Sequence, residues 1–171
     1  MHEEAEIPGE RIRGPLDLQA TLLSGQTSEP QWDLDDGYYA DIDEFRGIAA
    51  RYRVRQIGTR DEPRLDVKIV SEEGRNSLAD DVTEHVVRVL TLDRDLNAFY
   101  RAFDSSKEDV VTRTLQPLRG LRLMRGNNLF ESLISSISTQ HNSVVLWNKS
   151  VKIMRDIYGC LLYTSPSPRD R

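Results

Sequence analysis

The chain holds one cysteine, Cys160, and three scattered histidines, His2, His85 and His141, in 171 residues. A single thiol excludes an internal disulfide framework and makes a reducing cytoplasm the expectation. So few soft ligands, so far apart, argue against a structural zinc site. Long apolar runs are also missing: none approaches the length needed to span a bilayer. The opening stretch "MHEEAEIPGERIRG" is acidic and has no basic-then-apolar signal pattern. What is present, 38% hydrophobic and 30% charged residues, describes a soluble folded protein. The length suits one ordinary domain, or a small domain with part of a second.

The net charge of −5 is unevenly spread. Residues 1–116 carry 15 Lys/Arg against 25 Asp/Glu, a net of −10. Residues 117–159 carry Arg119, Arg122, Arg125, Lys149, Lys152 and Arg155 against Glu131 and Asp156, a net of +4. A polyanion feels the local field, because charges beyond about 10 Å are screened at ordinary ionic strength. Either these cations form solvated faces or they meet phosphate; charge alone does not choose.

Residues 1–14 read as a frayed acidic lead-in, followed by a mixed leucine-rich stretch ending in "SGQT", where Gly25 permits a sharp turn. From residue 30 to 74 apolar and polar residues alternate between turn signals at 35–37, 58–63 and 72–76. Tyr52, Val54 and Gln56 share one face, as do Leu65, Val67 and Ile69, so a small antiparallel sheet with one wet face is predicted. Its arginines Arg51, Arg53 and Arg55 are expected in solvent. After Ser77 the period becomes helical. Val82, Val86, Val89 and Leu90 form one stripe, and Leu96, Phe99, Tyr100 and Phe103 a second. A short helix begins at Ser105 or Ser106 and breaks at Pro117. Asn128 and Glu131 make a capping box for a helix carrying Leu129, Phe130, Leu133, Ile134 and Ile137. Asn142 or Ser143 can cap the next one, with Gly159 at its end. A sheet followed by five helices is an α+β order.

Three stretches in sequence order resemble the 8-oxoguanine DNA glycosylase branch of the helix-hairpin-helix glycosylase superfamily. They are "LDLQATLLSGQT…W…DGYY", "VVRVLTLDRDLNAFYRAF" and "LRGLRLMRGNNLFESLISSISTQHNSVVLWNKSVKIMRDIYG", and together they cover residues 15–159. The resemblance implies a small antiparallel α+β domain at 15–76 and the first helices of an all-α glycosylase domain at 77–159. It implies base-excision repair: a damaged purine, 8-oxoguanine first, is flipped from duplex DNA and cut from its sugar, with 3-methyladenine-type alkylated bases the alternative. Gln140 stands where the family has the amide that fills the vacated stack, with His141, Asn142 and Ser143 around it. Arg125 and Lys149 are the expected phosphate contacts. Gly25 stands where the family offers a backbone carbonyl to the oxidised base, and Gln26 is expected to join it in base recognition. The implied partner is double-stranded DNA with a damaged base, bound by a monomer in a prokaryotic cytoplasm, nucleoid-associated, with no membrane and no metal or organic cofactor.

The sequence departs from the family in places. "TSEPQW" adds residues and puts Gln31 where an arginine is usual, and Val145 stands where an arginine reads the opposite cytosine. Lesion and opposite base therefore stay open. No stretch after Gly159 resembles the family's hairpin, its lysine or its later aspartate, so no catalytic residue is assigned and the chain is expected to be an inactive fragment. The closing "CLLYTSPSPRDR", residues 160–171, resembles translated sequencing adapter and is expected to carry no function. A non-enzymatic nucleic-acid-binding module is the alternative from a different class. An enzyme using Ser135, Ser136 and His141 is weaker still, lacking an oxyanion-forming turn.

Overall fold

The computed structural model describes residues 1–26, 32–33, 37–71, 77–104, 109–126, 129–140, 142–143, 145–147, 149–150, 153 and 157. The chain divides into two compact units, Met1–Arg125 and Gly126–Arg171.

The first unit is built on a five-stranded antiparallel sheet in the order β1-β5-β4-β3-β2. Its strands are β1 (His2–Ile7), β2 (Trp32–Asp33), β3 (Tyr38–Phe45), β4 (Ile48–Gly58) and β5 (Pro63–Ser71). β1 falls in the stretch expected to fray. It pairs with β5 from His2↔Val70 to Ile7↔Leu65, and Ile7 is completely buried. Two of the acidic residues that made it look disordered pair with cations of β5: Glu4 with Lys68 directly opposite at 3.7 Å, and Glu6 with Arg64 on the diagonal at 3.7 Å. These pairs are exposed and contribute little; the ladder and Ile7 hold the strand. β3 and β4 join through Arg46 and Gly47, both at positive φ (53° and 78°), a two-residue turn of the kind that matches strand twist.

Register puts Tyr52 opposite Ile69 and Val54 opposite Val67, so one sheet face is continuous apolar surface. Among the described residues four α-helices belong to this unit, α1 (Leu18–Leu22), α2 (Ala79–Val89), α3 (Leu96–Asp104) and α4 (Asp109–Leu115), and α5 (Leu129–Thr139) belongs to the second. Leu16, Leu18 and Leu22 around α1, Val82, Val86 and Leu90 along α2, and Tyr52, Val54, Leu65 and Val67 from the sheet form one core. The fold is α+β. α2 packs on the sheet, and the first compact unit continues to Arg125. α1 escaped the sequence reading: one turn and a half gives too little periodicity to see.

The other face of the sheet is largely wet, with Tyr38 and Ala40 buried among its described residues. Tyr38 lies under Arg53 (4.5 Å) and Arg55 (4.9 Å), which cover its ring as cation–π partners.

The second unit contains α5 and a further helical stretch that includes 145–147, 149, 150, 153 and 157. Asn128, Ser105, Ser106, Gly159 and the tail 160–171 lie outside the described residues.

Candidate nucleic-acid interface

Asp17 starts α1 by accepting Ala20 N–H at Oδ1, 2.9 Å. The helix ends after Leu22, and Ser24 Oγ donates back to Thr21 O at 2.6 Å. Gly25 follows at φ +78°, with nothing within 4 Å of the place a Cβ would occupy. It is an exposed turn open to an approaching ligand.

The turn rests on an extended segment, residues 121–126, that belongs to no ladder. The Gln26 amide bridges the two. Its Nε2 donates to Arg122 O (2.8 Å) and Ser24 Oγ (2.7 Å), and its Oε1 accepts Met124 N–H (2.9 Å). Both amide hydrogens are thereby used. The 121–126 segment is pinned elsewhere too. Arg122 N–H donates to Thr21 Oγ1 (3.1 Å), Thr91 Oγ1 donates to Leu123 O (2.8 Å), and Arg125 N–H donates to Val89 O (2.8 Å). Leu123 itself is 74% exposed.

Arg122 is the anchor. Its side chain is only 2% exposed and donates to the carbonyls of Pro15 (3.1 and 3.3 Å), Arg13 (3.0 Å), Gly14 (3.3 Å), Thr91 (2.9 Å) and Arg94 (3.2 Å). Among the described residues its charge meets carbonyl oxygens rather than a carboxylate in ion-pair range. Burial pushes its guanidinium below the usual value, against upward pushes from Tyr100 and Asp93. Arginine remains protonated regardless. One of its acceptors is itself unusual. Thr91 ends α2 at φ 50°, with Leu92 N–H on Val87 O (2.9 Å) and Thr91 N–H on Arg88 O (3.3 Å). That is a Schellman ending with a β-branched residue where glycine is the norm. Its side-chain hydroxyl and its carbonyl are both taken by the 122–123 segment.

These contacts correct the basic-patch reading. Arg122 is neither a solvated cation nor a phosphate ligand. Arg119 holds Asp61 with two donors (3.1 and 2.8 Å) and lies over the Tyr100 ring at 5.1 Å. Of the three arginines in 119–125, Arg125 alone is exposed and makes no ion pair with a described residue.

In the second unit, the polar joint after α5 sorts into two groups. Most of its side chains finish or start helices. Ser138 Oγ donates to Ile134 O, Thr139 Oγ1 to Ser136 O (2.8 Å), and Asn142 Nδ2 to Ser138 O (2.7 Å). Ser143 caps the following stretch, its Oγ accepting Leu146 N–H (3.3 Å) and its carbonyl Trp147 N–H (2.9 Å). The cap is thus Ser143, while Asn142 serves the end of α5. Gln140 is different: its backbone N–H closes on Ile137 O (3.2 Å), and the residue is exposed. Lys149 is helical and exposed. His141 lies outside the described residues. Gly25, Gln26 and Arg125 therefore fall in the first unit, and Gln140, Asn142, Ser143 and Lys149 in the second.

Sequence reading missed the Arg122 anchor and the Gln26 bridge. The one available signal was Arg122 lying between Leu121 and Leu123, and charge counting placed it with the surface cations. Among the described residues no three His, Cys, Asp or Glu side chains gather as a metal site. Nor is any described helix long and apolar enough to cross a membrane.

The family model described as "8-oxoguanine DNA glycosylase, N-terminal domain" matches residues 11–133. The chain belongs to the 8-oxoguanine DNA glycosylase N-terminal domain family. Within that family domain lie the Ser24–Gln26 turn, the Arg122 anchor and Arg125, whereas Gln140 follows it. A probable N-glycosylase/DNA lyase from Methanothermobacter thermautotrophicus is 30% identical over 164 residues, which is 91% of this chain and 48% of that protein. The chain thus spans about half the length of this curated relative. Among solved structures, a 3-methyladenine DNA glycosylase from Archaeoglobus fulgidus shares the fold of this glycosylase-family chain. The TM-score is 0.58 with 18% identity, over 85% of this chain and 47% of that one.

Proposed function

We propose that this chain provides the duplex-handling part of a DNA N-glycosylase of base excision repair, with 8-oxoguanine as the damaged purine. The observation that carries the reading is the Ser24–Gln26 turn, a positive-φ glycine in open space on a backbone braced from both sides. Oxidation at C8 of guanine places a hydrogen on N7, where guanine has only a lone pair. A carbonyl accepts from the first and repels the second, so one well-held Gly25 carbonyl suffices to discriminate. Glycine leaves room for the base to approach the backbone.

Gln140 acts as the wedge. Rotating a base out of the stack costs a few kcal/mol. An amide entering the gap offers donor and acceptor to the estranged partner and offsets part of that cost. The hydroxyl and amide side chains around it are committed to helix ends, which leaves Gln140 as the described side chain of the joint with a head to spare. Arg125 and Lys149 contact phosphate, and Asn142 and Ser143, with His141, bring the following helix start to the backbone. The protein binds its duplex as a monomer.

Binding to duplexes labelled on one strand tests this. The full chain should favour a duplex with a tetrahydrofuran abasic site over the intact duplex by about tenfold or more, since the unstacking cost is already met. Gln140→Ala should bring the two affinities together. Equal affinity of the unaltered protein for both duplexes would overturn the wedge assignment. Among intact duplexes, 8-oxoguanine:cytosine should be preferred to guanine:cytosine; the reverse order would remove 8-oxoguanine as the substrate.

A further inference from the structure

We infer that Gln26 and Arg122 are positioning residues for lesion discrimination, acting through Gly25 without touching the base; the inference rests on the reading of Gly25 as the lesion-contacting residue. A carbonyl discriminates N7–H from a bare N7 only if it cannot turn away. A glycine at φ +78° with no side chain, and nothing within 4 Å of the place a Cβ would occupy, has little of its own to hold it. What holds it must come through the residues on either side.

The structure supplies that hold in two connected steps. Ser24, on one side, is tied to Thr21 O and to the Gln26 amide. Gln26, on the other, spans Arg122 O and Met124 N–H, pairing with the 122–124 backbone much as a neighbouring strand would. The second step fixes that backbone. Arg122 sends its guanidinium into five carbonyls from two separate stretches, residues 13–15 and residues 91–94. Thr91, held at φ 50°, returns a hydroxyl bond to Leu123 O. A strained residue persists where its surroundings over-determine it, and here both the hydroxyl and the carbonyl of Thr91 lead to the segment that Gln26 bonds.

This arrangement changes the role of Gln26. With both amide hydrogens spent on Ser24 and Arg122, it is no reader of the base edge. Replacing it should free Gly25 without removing any group that meets DNA. Arg122 acts one step further back, and its charge is directed at the protein rather than at phosphate.

The test uses the full chain, Gln26→Ala and Gln26→Glu, with two readouts. The first is the ratio of affinities for 8-oxoguanine:cytosine and guanine:cytosine duplexes of one sequence. A merely structural role would weaken both duplexes alike and leave the ratio unmoved. Positioning predicts that the ratio falls by about tenfold toward one in Gln26→Ala. Gln26→Glu should fall as far, because its second oxygen faces Arg122 O where a donor is needed. The second readout is amide hydrogen exchange at Met124, which loses its acceptor in Gln26→Ala and should exchange faster. An unchanged ratio in Gln26→Ala, with the unaltered chain discriminating, overturns the inference. If the unaltered chain shows no preference, the reading of Gly25 fails instead. The bridge is then judged by exchange alone, and unchanged Met124 protection would overturn it as well.

Discussion

Replacing Arg122 by methionine is the most demanding check on this account. Methionine fills similar volume with an adaptable apolar chain, so the perturbation is chiefly the loss of donors. Six hydrogen bonds to five carbonyls disappear. The contacts to Pro15 O and Thr91 O are buried, while those to Arg13, Gly14 and Arg94 are partly buried and leave room for water. Thr91 O keeps Arg94 N–H (3.1 Å), so Pro15 O is the buried carbonyl left unpaired, at about 1–3 kcal/mol, and the lost charge-assisted bond to Thr91 O costs about 1.5–3 kcal/mol more. Removing a buried cation works in the opposite direction, since several kcal/mol of desolvation no longer need offsetting. The balance is a destabilisation of about 2–4 kcal/mol. With a urea slope of about 2 kcal/mol/M, the unfolding midpoint should drop by about 1–2 M, read by far-ultraviolet circular dichroism. Arg122→Lys keeps a charge and up to three donors but not the planar fork, and should recover part of the loss. A methionine variant within about 0.5 kcal/mol of the unaltered protein would refute the reasoning, showing that water satisfies all five carbonyls.

Gly120→Ala should cost about 2–4 kcal/mol: the residue sits at φ +89°, and a Cβ would meet Asp17 N at 2.7 Å and Leu16 C at 2.9 Å, both backbone. A urea midpoint unchanged from the parent would contradict that crowding. Thr91→Val keeps the β-branched strain and removes the hydroxyl bond to Leu123 O, so a loss of about 1–3 kcal/mol is expected in the same assay. His85 is held below its ordinary value, first by burial, with Arg88 pushing down and Asp43 and Asp41 pushing up, while Tyr52 OH lies 3.1 Å from Nε2. The unfolded chain then binds the proton more readily than the folded one. Stability should fall as pH drops below about 6.5 and go on falling to the folded-state value. Urea midpoints at neutral and mildly acidic pH should therefore diverge more for the parent than for His85→Gln; parallel declines would rule His85 out.

The central strands were legible because period-two alternation around Tyr52, Val54, Leu65 and Val67 is a direct consequence of one buried face. The stripe of α2 was legible for the same reason at helical period. β1 was not. Three glutamates in its six residues lower its apparent strand character, and its stability comes from β5, some 60 residues away, which no local window contains. Of the interface, the residue types at 25 and 140 carried the resemblance to glycosylases. The Gln26 bridge and the Arg122 anchor did not show, because a residue's hydrogen-bond partners 96 to 109 positions away leave no mark on its own neighbourhood. Arginine is also the residue whose role composition misjudges most easily: the same charge serves a phosphate outside or a ring of carbonyls inside.

The Arg122 anchor also orders events during synthesis. The carbonyls of Arg13, Gly14 and Pro15 leave the ribosome 107 to 109 residues before the guanidinium that ties them together. At a translation rate of about 5–20 residues per second, that is a wait of about 5–20 s. Through this interval the sheet and α2 can assemble, since both lie wholly before residue 90. The glycine turn, however, has no brace, and Thr91 has no hydroxyl acceptor to hold its left-handed conformation. A nascent chain therefore carries a folded sheet before its Ser24–Gln26 turn has settled. Order in that turn arrives late, with the segment around residue 122.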